Sequence, residues 1–160
     1  MSDVQGGGQQ PRLNVLRVYL KDASFESPST PGLFVSAENG RAKGNVDLVT
    51  AAQEAGPNRY EVVVKATLKT EEENGGRTIN IVEVQQAGLF EISGVTQEQL
   101  GFALEVNCPT ILFPYLRETI DSLLVRGMFP PAGLAIFNFE ARYAAEMNRR
   151  RQAAGSPAVN

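Results

Sequence analysis

The sequence predicts an α+β domain in which the strands come first and the helices follow. Two observations favour this class. Before residue 93 the chain holds four segments rich in aliphatic and β-branched residues, separated by clusters of Gly, Pro and Asn. From Thr96 onward the apolar residues recur at helical spacing instead. A run of strands followed by a run of helices is typical of an α+β fold, here a four-stranded antiparallel sheet.

The length and composition predict one domain with two flexible ends. The chain has 160 residues, of which 42% are hydrophobic, and this is enough for a single core. We expect a flexible arm over residues 1–11, because this Gly- and Gln-rich stretch can bury little apolar surface. A single domain is expected over residues 12–149, followed by a flexible tail over residues 150–160.

The first strand is predicted at Leu13–Leu20, where aliphatic and aromatic residues partly alternate. The segment from Phe25 to Gly44 is long for a simple loop, and its two prolines at positions 28 and 31 prevent a continuous ladder. Its apolar residues either pack back onto the core or form one wall of a peptide-binding groove. These residues are Phe25, Leu33, Phe34 and Val35.

The next three strands are predicted to form an antiparallel meander, because Gly56-Pro57-Asn58 and Asn74-Gly75-Gly76 are strong turn sequences. The strand that starts at Tyr60 alternates apart from Val63, and its apolar face should be core. That face comprises Tyr60, Val62, Val64, Ala66 and Leu68. The following strand mixes polar and apolar residues on both faces, which favours a position near an interface. We interpret Glu71-Glu72-Glu73 between these two strands as a solvated charge cluster.

The helical part is predicted to begin at Thr96, which precedes acidic and amide residues in a first turn. A short helix should end near Val106, with Asn107 and Cys108 interrupting it, and Pro109 should sit in the first turn of a long second helix. This long helix is apolar over a broad stripe. The stripe comprises Leu112, Phe113, Tyr115, Leu116, Thr119, Ile120, Leu123 and Leu124.

A stripe this broad needs a second cover besides the sheet. Either one chain encloses the helix or another subunit covers it, and the presence of only one other sizeable helix, at about 139–149, favours a second subunit. The connector Gly127–Phe137 is apolar for a surface loop, which makes it a second candidate wall for a groove.

Several function classes are disfavoured by what the chain contains. The formal net charge of -3 gives no reason to expect nucleic acid as a partner. Cys108 is the single cysteine and there is no histidine, so we expect no disulfide, no metal site and no catalytic nucleophile with its base. No phosphate-binding pattern is present, and we predict neither a cofactor nor an enzyme. No signal sequence or membrane-spanning run is found, so we expect a cytoplasmic protein without direct membrane insertion.

Five separated motifs occur along the chain in a recognisable order. They are Arg17–Pro28, Glu83–Phe90, Asn107–Glu118, Arg126–Pro130 and Phe137–Glu140. In this order they resemble the SecB family of bacterial protein-export chaperones, and the resemblance covers about Leu13 to Arg149. It implies a four-stranded antiparallel sheet with a long helix and a shorter C-terminal helix on one face. It also implies a homotetramer, a dimer of dimers with helices between sheets.

The resemblance also implies site residues. Four positions match those through which the family docks the translocation motor SecA, and these are Asp22, Glu26, Ile81 and Glu83. Client proteins would bind in a groove for which our candidates are Phe25, Leu33, Phe34, Phe129, Leu134, Ile136 and Phe137. For the oligomer interface the candidates are Val82, Val84 and Gln86, matched to the family, together with Leu112, Leu116, Ile120 and Leu123 from the broad stripe.

The predicted function is that of an ATP-independent holdase, which keeps unfolded preproteins translocation-competent and delivers them to SecA. One alternative is a SecB-like chaperone of a non-secretory client such as an antitoxin, and another is a carrier of an apolar small ligand. Two features depart from the family: the crossover after Phe25 lacks a tryptophan that many relatives carry, and the tail from Arg149 is basic and then neutral rather than acidic.

Overall fold

The computed structural model describes residues 8–36 and 40–155, in which four strands form one antiparallel sheet. The strands are β1 (Arg12–Glu26), β2 (Ala42–Gly56), β3 (Arg59–Glu72) and β4 (Thr78–Ser93). Their spatial order is β1-β4-β3-β2, so β2, β3 and β4 form the expected meander and β1 pairs with the far side of β4. The tight turns use left-handed residues, Asn58 with φ 56° and Gly76 with φ 64°.

One side of the sheet carries the core, and the alternation of the sequence decides which residues face it. Val62, Val64, Ala66 and Leu68 of β3 are buried, as the pattern predicted, and Tyr60 is half-buried at the end of the same row. On β4 the buried face comprises Asn80, Val82, Val84, Gln86, Phe90 and Ile92. We call this side the helix-facing side and the opposite side the open face.

The helices follow the sheet and begin at a capping box. The Thr96 hydroxyl accepts the N–H of Gln99 at 3.2 Å, and the Gln99 side chain accepts the N–H of Thr96 at 3.0 Å. The described helices are α1 (Gly32–Val35), α2 (Gln97–Phe102), α3 (Cys108–Arg126) and α4 (Phe139–Ala154), with a π-helical turn at Ala103–Asn107 between α2 and α3.

The expected interruption at Asn107 and Cys108 was wrong, because the helical backbone continues through the π-helical turn. The Cys108 N–H bonds to the carbonyl of Ala103, five residues back. The following Pro109 has no N–H and its ring would clash with the carbonyl four residues earlier in a regular helix. A wider turn before it accommodates the ring, and proline therefore marks a local change of pitch and not a break.

Helix α3 packs mainly on β4 and β3, and this corrects the expected oligomer interface. Leu112, Leu116 and Ile120 are buried against the sheet within one protomer. They are therefore unavailable to a second subunit, as are the buried β4 residues Val82, Val84 and Gln86. The Gln86 amide is also used internally, since it donates to the Tyr19 carbonyl at 2.9 Å. Leu123 is half-buried at the edge of this contact.

Helix α4 is capped by Asn138, whose side chain accepts the N–H of Ala141 at 2.9 Å. Arg142 ties it to β2 by donating to the Leu48 carbonyl at 3.2 Å and to the Thr50 hydroxyl at 2.7 Å. The helix continues through Ala154, so the first five residues of the predicted tail are helical. Residues 1–7 of the predicted arm, 37–39 of the crossover and 156–160 of the tail lie outside the described residues.

Gly88 is a position at which this packing can be tested. A Cβ there would lie 2.6 Å from Cε2 of Phe90 and 2.9 Å from Cδ2 of Leu112, both of them buried side chains. We expect Gly88→Ala to lower the free energy of unfolding by about 1–3 kcal/mol through overpacking. Urea unfolding at fixed protomer concentration measures this difference.

The matched control is Gly44→Ala, also within a strand, where the nearest atom to an added Cβ is Cδ1 of Leu68 at 3.5 Å. This substitution should be neutral or raise the free energy of unfolding slightly, because alanine loses less backbone entropy on folding. Equal urea midpoints for the two variants would contradict the tight contact between α3 and β4.

Candidate functional site

A groove of about 680 Å³ runs along the helix-facing side, beside the C-terminal end of α3. Its floor is formed by β2, β3 and the first residues of β4, and it lies where α3 no longer covers the sheet. One wall comes from α1 and the other from the connector after α3. The apolar lining residues are Leu33, Phe34, Ala42, Val46, Leu68, Ile79, Leu124, Met128, Phe129, Pro130, Ala132 and Leu134.

The depth of the groove follows from small residues on β2. Gly44 lies opposite Thr70, and Val46 lies opposite Leu68, so both β2 residues belong to the helix-facing side. Ala42 and Gly44 fill little space above the sheet. The floor is consequently low near the start of β2 and rises toward Val46.

Phe129 joins the two walls of the groove through its neighbours. Its ring centroid lies 6.2 Å from that of Phe25 on β1 and 6.0 Å from that of Phe34 on α1. The Phe129 N–H bonds to the Leu124 carbonyl at 2.9 Å, which holds the connector against the end of α3. Phe34 remains 55% exposed at the rim, so much of its apolar surface is available to a bound chain.

The structure brings together five of the seven expected client-binding residues. Leu33, Phe34, Phe129 and Leu134 line the groove, and Phe25 packs against Phe129. The remaining two, Ile136 and Phe137, line a second cavity of about 810 Å³ on the outer side of α3.

The connector residues lie on different sides of α3 because hydrogen bonds to α3 side chains fix the backbone of the connector. Asp121 accepts the N–H groups of Ala132 at 2.9 Å and Gly133 at 3.3 Å, and Arg117 donates to the Leu134 carbonyl at 3.2 Å. The connector residues that line the groove are Met128, Phe129, Pro130, Ala132 and Leu134, whereas Ile136 lines the cavity on the outer side of α3. Sequence analysis did not assign Val46 and Leu68 to the groove, because a strand pattern shows that a face is apolar and not whether a helix covers it.

The open face of the sheet carries the four residues expected to dock SecA. Glu26 lies directly opposite Ile81, Asp22 opposite Gln85, and Glu83 opposite Ser24. Because facing residues of neighbouring strands point to the same side, all four share the open face. The structure thus places Asp22, Glu26, Ile81 and Glu83 on the side opposite the groove.

The carboxylates of the open face differ in their partners. Oε1 of Glu83 lies 3.1 Å from Nζ of Lys65 on β3. Within the described ranges, Asp22 and Glu26 form no ion pair. Asp22 and Glu26 are four positions apart in β1, which corresponds to a rise of about 14 Å along the strand.

Glu61 lies farther along the open face, and its charge is already compensated. It accepts hydrogen bonds from Lys21 at 2.6 Å, from Tyr19 and from Gln53 at 3.0 Å. The bond from Lys21, followed by that from Tyr19, lowers the pKa of the Glu61 carboxyl. Burial, with the hydrogen bond to Glu61, raises the pKa of Tyr19 to about 12. Asp22 and Glu26 therefore offer more available negative charge than Glu61.

The outer side of α3 exposes a separate apolar surface. Tyr115, Val125 and Ile136 are all at least half exposed there, beside the cavity that Ile136 and Phe137 line. Tyr115 and Val125 of α3, together with Ile136 of the connector, are therefore exposed here, whereas the stripe of α3 that faces the sheet is buried.

The titratable side chains of residues 8–36 and 40–155 do not gather into a metal site. They form no cluster of three or more His, Cys, Asp or Glu that could bind a metal ion. Cys108 is fully buried, and this burial raises the pKa of its thiol to about 12. In the same part of the chain, no helix is both long enough and apolar enough to cross a membrane.

Comparison with known proteins decides the family. The family model described as preprotein translocase subunit SecB matches residues 7–150. The Protein-export protein SecB of Chromohalobacter salexigens is 44% identical over 153 residues, which span 94% of this chain and 92% of that relative. The chain belongs to the SecB family. Its function is accordingly that of a chaperone in protein export.

A solved structure agrees with the fold. A Mycobacterium tuberculosis SecB-like chaperone, in complex with a ChAD peptide from an antitoxin, matches with a TM-score of 0.63 at 20% identity over 79% of this chain and 91% of that chain. This likeness confirms the SecB-like α+β architecture, a four-stranded antiparallel sheet with helices on one face.

The state of Cys108 can be tested directly. Because the buried thiol stays protonated to about pH 12, whereas an unfolded cysteine ionises near pH 8.5, we expect iodoacetamide at pH 8 to label native protein on the order of 1000-fold more slowly than unfolded protein. Mass spectrometry of timed samples measures the two rates. Comparable rates would mean that the thiol is accessible and would contradict its role in packing.

Proposed function

We propose that this SecB-family chain is an ATP-independent holdase that binds unfolded preproteins in the groove and passes them to the SecA motor on the open face. The observation that supports this most is the position of the two surfaces on opposite sides of one sheet. The apolar groove lies on the helix-facing side and the carboxylates lie on the other. A client and the motor could therefore be bound at the same time without competing for residues.

The chemistry of the groove suits unfolded chains. Burial of apolar surface is non-directional, so walls built from Leu33, Phe34 and Phe129 can bind many sequences with little preference. The free energy comes from removing apolar surface from water, at about 25 cal/mol per Å², and no nucleotide is needed for it. We place this activity in the cytoplasm, where preproteins are found before translocation.

The chemistry of the open face suits a basic segment of the motor. Asp22 and Glu26 are exposed and form no ion pair in the described part of the chain, and Ile81 lies beside Glu26 as an apolar contact. Charge-assisted hydrogen bonds from lysine or arginine to such carboxylates give specificity and fast association. Glu83 would exchange its bond to Lys65 for a bond to the motor.

We propose a homotetramer, a dimer of dimers, as the assembled form. The exposed side chains Tyr115, Val125 and Ile136 on the outer side of α3 give a second subunit apolar surface to cover. Leu123 remains a candidate at the margin of this surface, since it is half-buried in the protomer.

A non-secretory client such as an antitoxin is the second candidate function. It is favoured by the fold similarity to the mycobacterial chaperone, whose structure contains an antitoxin peptide. The 44% identity to a protein-export protein favours preproteins more strongly. A carrier of an apolar small ligand would instead bind one saturable ligand in the groove and would not bind unfolded proteins. A titration with unfolded preprotein distinguishes this function from that of a holdase.

The groove is tested by replacing Phe34, which is largely exposed and therefore adds little to folding. We expect Phe34→Ser to weaken binding of an unfolded preprotein by roughly tenfold, because an apolar contact with the client is lost. Fluorescence anisotropy of a labelled preprotein fragment measures the dissociation constant.

The control for this test is Val35→Ser, one residue away and exposed but not part of the lining. It should leave the dissociation constant unchanged. Equal binding by both variants and the unaltered protein would show that clients bind elsewhere.

The docking face is tested by Glu83→Lys, which reverses a charge on the open face next to Lys65. We expect the affinity for SecA to fall by at least roughly tenfold while client binding stays unchanged, because the motor loses a carboxylate and meets a cation. Surface plasmon resonance with immobilised SecA measures the first quantity.

Glu91→Lys provides a matched control with the same charge change on the same face of β4. Glu91 lies opposite Asn14 and is eight residues, or about 27 Å, from Glu83 along the strand. SecA should bind this variant normally. A similar loss in both variants would mean that the motor responds to net charge and not to the proposed surface.

A further inference from the structure

Glu83 differs from the other carboxylates proposed to dock SecA, because side chains of its own protomer already bind it. Oε1 of Glu83 lies 3.1 Å from Nζ of Lys65, and Oε2 accepts a hydrogen bond from the Thr67 hydroxyl at 3.4 Å. Asp22 and Glu26 form no ion pair among residues 8–36 and 40–155. Of these three carboxylates, only that of Glu83 is therefore neutralised by a cation in the free protein.

The strand register explains how Lys65 reaches Glu83. Thr67 lies directly opposite Glu83 across β3 and β4, and Lys65 is two residues from Thr67 on the same face. Lys65 is thus a diagonal neighbour of Glu83, at a distance that a long side chain can span. Lys69 occupies the other diagonal position, but its ammonium group pairs with Glu71 at 2.6 Å. The sheet therefore assigns one lysine to Glu83.

The pair between Lys65 and Glu83 is accessible to water and to a partner. The side chain of Lys65 is 41% exposed and that of Glu83 is 33% exposed. Such a pair contributes little to the stability of the fold, because water competes for both charges and two side chains lose freedom when they form it. An incoming cation can consequently replace Lys65 without unfolding any part of the sheet.

A basic segment of the motor has to replace Lys65 before it can use Glu83 fully. Two ammonium groups held beside the same carboxylate would repel each other at short range. Formation of the docking bond therefore costs the bond to Lys65, whose ammonium group returns to water. Asp22 and Glu26 can accept donors from the motor without a comparable cost.

We propose that Lys65 is an internal competitor for Glu83, and that it lowers the affinity of the open face for a basic docking segment. This inference rests on the SecA docking proposed above. A single lysine of any other protein gains little at Glu83, since one lysine bond is exchanged for another. Stable docking then requires simultaneous contacts to Asp22, Glu26 and Ile81, which a segment of matching shape can make.

Lys65→Met tests this competition, because it removes the ammonium group and keeps a long apolar stem. We expect its affinity for immobilised SecA to rise by roughly two- to fivefold, the range that corresponds to one solvent-exposed ion pair. Lys65→Arg keeps a cation beside Glu83 and should bind SecA like the unaltered protein. Surface plasmon resonance in about 0.15 M salt gives the dissociation constants.

Lys43→Met is the matched control, with the same loss of charge on the same face. Lys43 lies on β2 opposite Glu71, which is four residues, or about 13 Å, along β3 from Thr67. This distance exceeds the screening length of about 8 Å at this salt concentration, so the affinity for SecA should stay unchanged. An equal rise in Lys43→Met and Lys65→Met would overturn the inference, because net charge alone would then explain it.

Glu83→Gln shows whether Lys65 acts through Glu83. This variant should bind SecA more weakly than the unaltered protein, and the gain from Lys65→Met should disappear when the two substitutions are combined, because no carboxylate remains to compete for. The same gain with and without the carboxylate would overturn the inference.

Two further outcomes separate the competition from the docking itself. Unchanged or weaker SecA binding by Lys65→Met, together with weaker binding by Glu83→Gln, would reject the competition and leave the docking surface intact. Absence of SecA binding by the unaltered protein, or normal binding by Glu83→Gln, would instead reject the proposed docking through Glu83, and with it the inference.

Discussion

The arrangement of this protein depends on one geometric constraint: a single helix is narrower than a four-stranded sheet and cannot cover all of it. Neighbouring strands lie about 4.8 Å apart, so the outer strands are separated by about 14 Å, whereas a helix with its side chains is about 10 Å wide. Helix α3 covers the central pair, β3 and β4, and buries Leu112, Leu116 and Ile120 there. The outer strands keep exposed apolar side chains on the same side, with Val15 46% and Leu20 51% exposed on β1 and Val46 46% exposed on β2. The uncovered strip of β2 and β3, with the first residues of β4, becomes the floor of the groove.

The same constraint explains why the two proposed surfaces differ in chemistry. A strand exposes alternate residues to opposite sides, so β4 can present Val82 and Val84 to α3 and Ile81 and Glu83 to the open face. No helix covers the open face in the part of the chain that the structure describes, and carboxylates can remain hydrated there. The alternation of β4 thus places apolar side chains on one side of the sheet and charged side chains on the other. The connector after α3 then closes the groove, since Phe129 reaches both Phe25 and Phe34.

Local patterns in the sequence predicted the secondary-structure elements well, but they predicted less well which elements pack against one another. The alternation from Tyr60 to Leu68 predicted which side of β3 is buried, because period and face are properties of the strand itself. The stripe of Leu112, Leu116 and Ile120 was also recognised, but it was assigned to a second subunit. Periodicity shows that a face is buried and does not show what buries it. Ile136 was expected in the groove and lies on the other side of α3, because the turn of the connector depends on distant hydrogen bonds to Asp121 and Arg117. The pairing of Glu83 with Lys65 depends on the register between β3 and β4, and no pattern within one strand could have indicated it.

The measurement that tests the central claim most directly is a calorimetric titration of the protein with a chemically unfolded preprotein, without nucleotide, at two temperatures and at a protomer concentration set by light scattering. Our account predicts submicromolar binding, on the order of 0.1–1 μM, with a negative heat-capacity change, because apolar surface is buried in the groove. The folded form of the same preprotein should give no heat of binding. Absence of binding to the unfolded chain by an intact oligomer, or binding without a negative heat-capacity change, would contradict the account.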